Sequence, residues 1–464
     1  MSEAPQSGRS YRNSSLQMKR GELRAADAAP LSPRSARANI FRLAAGLPFG
    51  LIAPLTLIGA ALAQDSELED VSPNTSVDER FDSYQDARGL KLGGFTLFPS
   101  ISAGVEANDN IFASSLAPVE DIIGVFAARA NLRSNWSVNS AGLTASVARR
   151  QYVDNSDESF TDYRFSGDAS YEATPRMRMR GAASYAMLSE RRISTQTAAG
   201  SVDPIRYSLF SASADTDFRM TDVTASVGLN FNQFDFDDGV AISDLSEIDQ
   251  DFRDRKQYTA RARSAFRIRP AISLFSAASY QVSEYSSPRP GTAIFQDSER
   301  YVLSGGVAFD INKVARGEIS AGYESQNFDA AEFSDVSGAN VSAQVEYFPT
   351  GLTTITLGAD RSVEDSATLG SDGAFVSNRL NLRVDHELLR QMVVSISGSY
   401  EDDEFRGFDR RDKLFSARFA IRYMLGAQTL VELEYSYVDL TSSGGFARSG
   451  YERNAIGLNV EYRL

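Results

Sequence analysis

The 464-residue chain contains no cysteine, one histidine and one tryptophan. The absence of cysteine excludes a disulfide framework, a thiolate metal site and a cysteine nucleophile. A lone histidine, His386, leaves no multi-histidine metal centre and one candidate for histidine acid–base chemistry. No GxSxG elbow, P-loop or HExxH motif occurs. Basic surplus is also missing: the formal net charge is −14. Such a balance argues against nucleic acid as a partner. A fixed repeat of the solenoid or propeller kind is not visible either.

What is present begins with an asymmetric N-terminus. The first 63 residues carry eight Lys and Arg against three acids. The run Leu43–Gln64, LAAGLPFGLIAPLTLIGAALAQ, then ends in Ala61-Leu62-Ala63. A basic region, an apolar region and a small-x-small site form an export signal, with cleavage expected before Gln64. Translation starts at Met1 or at Met18, just before Lys19-Arg20. Residues 64–92 are acidic and lack periodicity, and read as a flexible periplasmic segment.

From residue 93 to Leu464 one pattern recurs. In GFTLFPSISAGVEANDNIFA, residues 94–113, Phe95, Leu97, Ile101, Ala103 and Val105 share one parity, and Thr96, Ser100, Ser102 and Glu106 the other. That is a strand with one apolar and one wet face. About 18 such segments follow, each of about 10 to 14 residues, separated by alternately short and long connections. The expected starts lie near 94, 121, 141, 161, 176, 206, 222, 256, 271, 299, 313, 337, 352, 374, 391, 412, 429 and 453. The wet faces carry mid-strand charges that a protein core would reject. They are Arg261, Arg263 and Arg267 on one strand, Arg379 and Arg383 on another, Arg418 and Arg422 on a third, and Glu432 and Glu434 on the next. The fold expected is all-β: a single transmembrane antiparallel barrel of 16–18 strands, apolar outside and polar within. Pro99, which donates no hydrogen bond, belongs near a rim or bulge. No run shows a helical period or opens with a good helix cap.

Two stretches resemble a known family. Phe98-Pro99-Ser100-Ile101, Gly104-Val105 and Asn108-Asp109-Asn110-Ile111-Phe112 look like the opening strand of a family of outer-membrane β-barrel porins, and Leu132-Arg133-Ser134-Asn135-Trp136 resembles its second strand and turn. Members of that family are often linked with exopolysaccharide or capsule export and biofilm matrix in Gram-negative bacteria. The last strand is similar to the C-terminal insertion signal of outer-membrane barrels through Gly457, Val460, Tyr462 and Leu464, although such signals usually end in an aromatic residue. The resemblance implies the outer membrane as location. It implies as partners lipid and lipopolysaccharide, the barrel-assembly machinery and periplasmic polysaccharide-export components.

The expected function is therefore non-enzymatic: a water-filled pore for hydrophilic solutes, with no cofactor. A plugged structural or adhesive surface barrel is the alternative, and an outer-membrane hydrolase a distant third. The nine charges above are the candidate pore-lining residues. His386 reads as a solvated histidine on the periplasmic rim, with Asp385 on the opposite face. Asn108-Asp109-Asn110 and Asp235–Gly239 lack EF-hand spacing and read as Asx-turns, not calcium sites.

Overall fold

The computed structural model describes residues 74–84, 88–192, 201–366 and 373–464. The export signal expected over 1–63 lies outside them. Eighteen long strands make up the barrel. They are β1 (Phe95–Asn108), β2 (Asp121–Ser134), β3 (Ser140–Tyr152), β4 (Phe160–Thr174), β5 (Met177–Ser189) and β6 (Arg206–Arg219). β7 (Val223–Phe236), β8 (Arg255–Arg269), β9 (Ile272–Tyr285), β10 (Ser298–Ile311), β11 (Ala315–Phe328) and β12 (Val336–Thr350) follow. The last six are β13 (Thr353–Asp365), β14 (Ala374–Leu389), β15 (Met392–Phe405), β16 (Arg411–Met424), β17 (Thr429–Ser443) and β18 (Tyr451–Arg463). Each pairs antiparallel with the next. β1 also pairs with β18, from Ser100↔Arg463 to Asn108↔Ala455, so the sheet closes. Closure joins the first strand to the last, so the sheet has no free edge strand, the condition for crossing a bilayer with strands.

The period-two pattern maps onto the two faces. Ile101 (62% exposed), Leu143, Phe165, Leu229, Phe266, Leu303, Leu380 and Ile396 all lie outward and exposed. In water so many exposed apolar residues would be an aggregation hazard; in a bilayer they are the lipid-facing band. The alternate residues, Glu106, Asn232, Gln326, Asp403 and Glu434 among them, are buried inside.

Pro99 sits at the closing seam. Leu464 N–H donates to the Pro99 carbonyl at 3.1 Å, and Leu464 O accepts from the Gly89 N–H at 3.2 Å. Gly89 thus supplies a donor at a point where proline has none. It holds φ +61°, and a Cβ there would meet Leu97 O at 2.8 Å. The rim position expected for proline is where it lies.

The segment expected to be flexible, 64–92, needs correction within its described residues. A helix, α1, spans Val77–Ser83, and a short strand, Leu90–Leu92, pairs back on Phe95–Leu97. The helix has a full capping box. Ser76 Oγ accepts from Glu79 N–H at 3.2 Å, and the Glu79 carboxylate accepts from Ser76 N–H at 2.6 Å. The expectation that no run opens with a good cap is wrong at Ser76-Val77-Asp78-Glu79. Only seven residues long, α1 could not persist alone; tertiary contacts hold it.

Candidate functional site: the charged lumen and its two ends

The inner wall is a lattice of ion pairs. Arg418 on β16 contacts Glu432 at 2.9 Å and Glu434 at 2.5 Å, both on β17. Arg379 reaches Glu401 at 3.1 Å and Glu364 at 3.4 Å. Arg383 pairs with Asp385 at 2.8 Å. Arg263 on β8 spans to Glu318 on β11 at 2.7 Å, with its guanidinium 3.7 Å above the Phe275 ring. Arg267 stands apart: it is exposed near the short turn and donates to Thr221 O at 3.4 Å. Of the remaining two candidates, Arg422 binds α1 and Arg261 pairs with Asp215.

Two of these pairs arch over a glycine. Asp215 on β6, Gly228 on β7 and Arg261 on β8 form one cross-strand row, and Arg261 contacts Asp215 at 2.5 Å. A Cβ on Gly228 would lie 2.2 Å from the Asp215 carboxylate and 2.5 Å from Arg261 Nε. Arg133 on β2, Gly142 on β3 and Asp168 on β4 repeat the device, with the ions 2.8 Å apart. The missing side chain is what lets two charges two strands apart meet. This pairing was invisible to sequence reasoning, because it depends on register.

Helix α1 lies inside the barrel at the short-turn end. Val77 (0% exposed) and Phe81 (1%) pack on Val393, Met424 and Leu430, which point inward from β15, β16 and β17. Asp78 pairs with Arg422 and, at 3.5 Å, with Arg383. Glu79 takes Arg316 at 2.9 Å, and Arg80 reaches Glu387 at 3.4 Å. Arg422 also lies 5.0 Å from the Phe81 ring. Asn74, just before the helix, bonds Asp310 at 2.5 Å and the Lys313 N–H at 2.6 Å. The segment therefore lines the mouth from β10 to β17. Two residues read as pore-lining charges, Arg383 and Arg422, belong to this contact, and Asp385, the partner of Arg383, borders it.

The opposite end is narrowed by strand β13. Its pairing with β12 stops at Val341↔Arg361. Beyond that point Asp365 accepts from Gln326 on β11 at 2.7 Å and from Gln257 on β8 at 3.4 Å. Gln296, in the β9–β10 loop, donates to Ser366 O at 3.2 Å and Gly373 O at 2.9 Å.

His386 is exposed on the outward face beside the short turn, its Nδ1 3.0 Å from Thr353 Oγ1. Asp385, buried on the inner face, accepts from Ser395 Oγ at 2.6 Å. The two side chains are on opposite faces and form no dyad. Asn108 Oδ1 accepts from Asn110 N–H at 3.0 Å, an Asx-turn. Asp238, Asp249 and Asp251 gather one carboxylate oxygen each within 4.8 Å in the exposed β7–β8 loop. The insertion-signal residues lie on β18 and, for Leu464, just past its end: Val460, Tyr462 and Leu464 are about 40% exposed, and Gly457 faces inward opposite Glu434.

The model of one protein family, Putative beta-barrel porin 2, matches residues 82–464. The chain belongs to that family. It is thus an outer-membrane β-barrel of porin type, in keeping with the resemblance read from the first two strands. No curated protein matches the sequence. Among solved structures it is similar to the outer-membrane protein OpdK of Pseudomonas aeruginosa, at 11% identity and TM-score 0.40, over 79% of this chain and 99% of that one. It is also similar to OccK2 (OpdF) of the same organism, crystallised with glucuronate, at 12% identity and TM-score 0.41, over 79% and 98%. The ferric enterobactin receptor PfeA of that organism gives 8% identity and TM-score 0.44, over 79% and 80%. These values describe a distant likeness of fold and no more.

Proposed function

We propose that this porin-family barrel carries hydrophilic solutes across the outer membrane through its charged lumen, without enzymatic chemistry. The observation that supports it most is the inner wall of Arg–Asp and Arg–Glu pairs on every side, including the Arg261–Asp215 and Arg133–Asp168 pairs over glycines. A protein core would bury apolar side chains there. Paired charges along a wet wall hold water and set the field that a solute meets. On this reading the nine candidate charges line or support the path, and the cargo to which the family resemblance points is exopolysaccharide. The partners would be lipopolysaccharide, the assembly machinery acting on β18, and periplasmic export components meeting the short-turn end.

One observation favours a second reading. α1 occupies the short-turn mouth and β13 narrows the other end, as a plugged structural barrel would require. Ion conductance of the purified barrel decides between them. Stable channels reduced by added polysaccharide support transport of that cargo. A folded barrel closed to ions, even after α1 is displaced, supports the structural reading.

A further inference from the structure

Where β18, β1, β3 and β4 end beneath the long loops, a cavity of about 30 Å³ is lined by Arg150, Arg191, Arg192 and Arg453. Tyr152, Phe160, Ile111 and Pro204 supply its flat apolar walls. Four guanidinium groups around a space this small call for counter-charge, and most of it is already in use. Glu158 holds Arg192 at 2.6 Å. Glu190 holds Arg253. Glu106 feels the charge of Arg453, but its oxygens bind Arg150 at 2.9 Å and Asn108 at 3.3 Å. Arg453 is only 6% exposed, and among the described residues its side chain has no hydrogen bond and no ion pair; its Nε is buried and unsatisfied.

A buried guanidinium without a partner is strongly unfavourable, while one that receives a bidentate anion is well satisfied. We propose that this cavity is a binding site for the carboxylate group of a hydrophilic solute, with Arg453 as its principal donor. The volume exceeds the roughly 10–15 Å³ that one water needs and takes a small planar head group, not a whole sugar ring. The body of the solute stays in the lumen, so the site selects acidic sugars over neutral ones. The inference rests on the transport reading for its biological sense, but the binding stands or falls separately.

The test uses the full chain purified in detergent micelles, with sodium galacturonate as probe and galactose as neutral control at fixed ionic strength. Saturable binding is followed by ligand-observed NMR. Galacturonate is expected to bind and galactose not. Arg453→Gln is expected to weaken galacturonate at least about tenfold, the loss of one charged hydrogen-bonding partner, and Arg453→Lys to weaken it less. The Gln variant also removes an unpaired buried charge, so its barrel is expected to unfold no more readily than the parent. Folded wild-type protein that fails to bind galacturonate, or an Arg453→Gln variant that binds it undiminished, overturns the site. Conductance of the same preparations separates the two claims: binding without conductance supports the site while removing the pore, and conductance without binding overturns the site while leaving the pore.

Discussion

At the scale of residues, the lumen is built from charges that are costly to bury singly. Glu434 is 2% exposed and depends on Arg418. Arg418→Met leaves that carboxylate without its cation and is expected to cost about 3–5 kcal/mol, the range for breaking a buried pair from one side. Arg267→Met, at the exposed rim, is expected to stay within about 0.5 kcal/mol. Urea unfolding in lipid vesicles measures both; equal losses would contradict the distinction between wall and rim. Gly228→Ala is a sharper probe, because its methyl group would enter the space between Asp215 and Arg261. It is expected to destabilise the barrel in a parent chain and much less in an Asp215→Ala, Arg261→Ala background, a coupling that a double-mutant cycle reads directly.

At the scale of elements, the strands were the most legible part and the helix the least. Every expected strand start falls within two residues of the observed one, because a lipid-facing strand must alternate along its whole length. β17 is the instructive excess: apolar and polar residues alternate clearly from Thr429 to Val438, yet pairing continues to Ser443 against Arg411. The outer part of a barrel strand rises past the lipid, where the outward face no longer has to be apolar and the pattern fades. α1 hid for a different reason. Val77 and Phe81 are one i, i+4 pair, too short to show a period, and only Ser76 and Glu79 announced it. Its contacts predict a consequence. Phe81→Asp puts a charge against Val393, Met424 and Leu430, and is expected to free α1, raise conductance and expose residues 74–84 to protease, with strand content unchanged. Unaltered conductance with a demonstrably freed helix would remove α1 from the path.

The β7–β8 loop offers a pH test at the same scale. Burial raises the Asp254 carboxyl to about 6, helped by Asp235, Asp251 and Asp238, although it accepts from Phe236 N–H at 2.7 Å. A carboxyl raised above its unfolded value of about 3.9 opposes the folded loop most when ionised. The penalty is full above pH 6 and fades as pH falls through 6 toward 4. Proteolysis of residues 237–254 is therefore expected to slow on acidification over that window, and Asp254→Asn to flatten the response. Faster cleavage at lower pH would contradict it.

At the scale of the whole molecule, barrel, outer face and approximate strand number could be read from the chain, whereas the state of the lumen could not. Alternation says which side chains point inward, but not that Arg261 meets Asp215 over Gly228, nor that Arg191, Arg192 and Pro204 line a cavity with Arg453. Those facts depend on register and on segments far apart in sequence. The central claim is that the charged interior is a path. Single-channel recording of the chain from Gln64 to Leu464 in planar bilayers tests it most directly, alone and with Phe81→Asp. The account predicts stable conductance steps that grow when α1 is displaced and change ion selectivity with Arg261→Glu. A correctly folded barrel that stays silent in both forms would contradict it and leave a structural surface barrel.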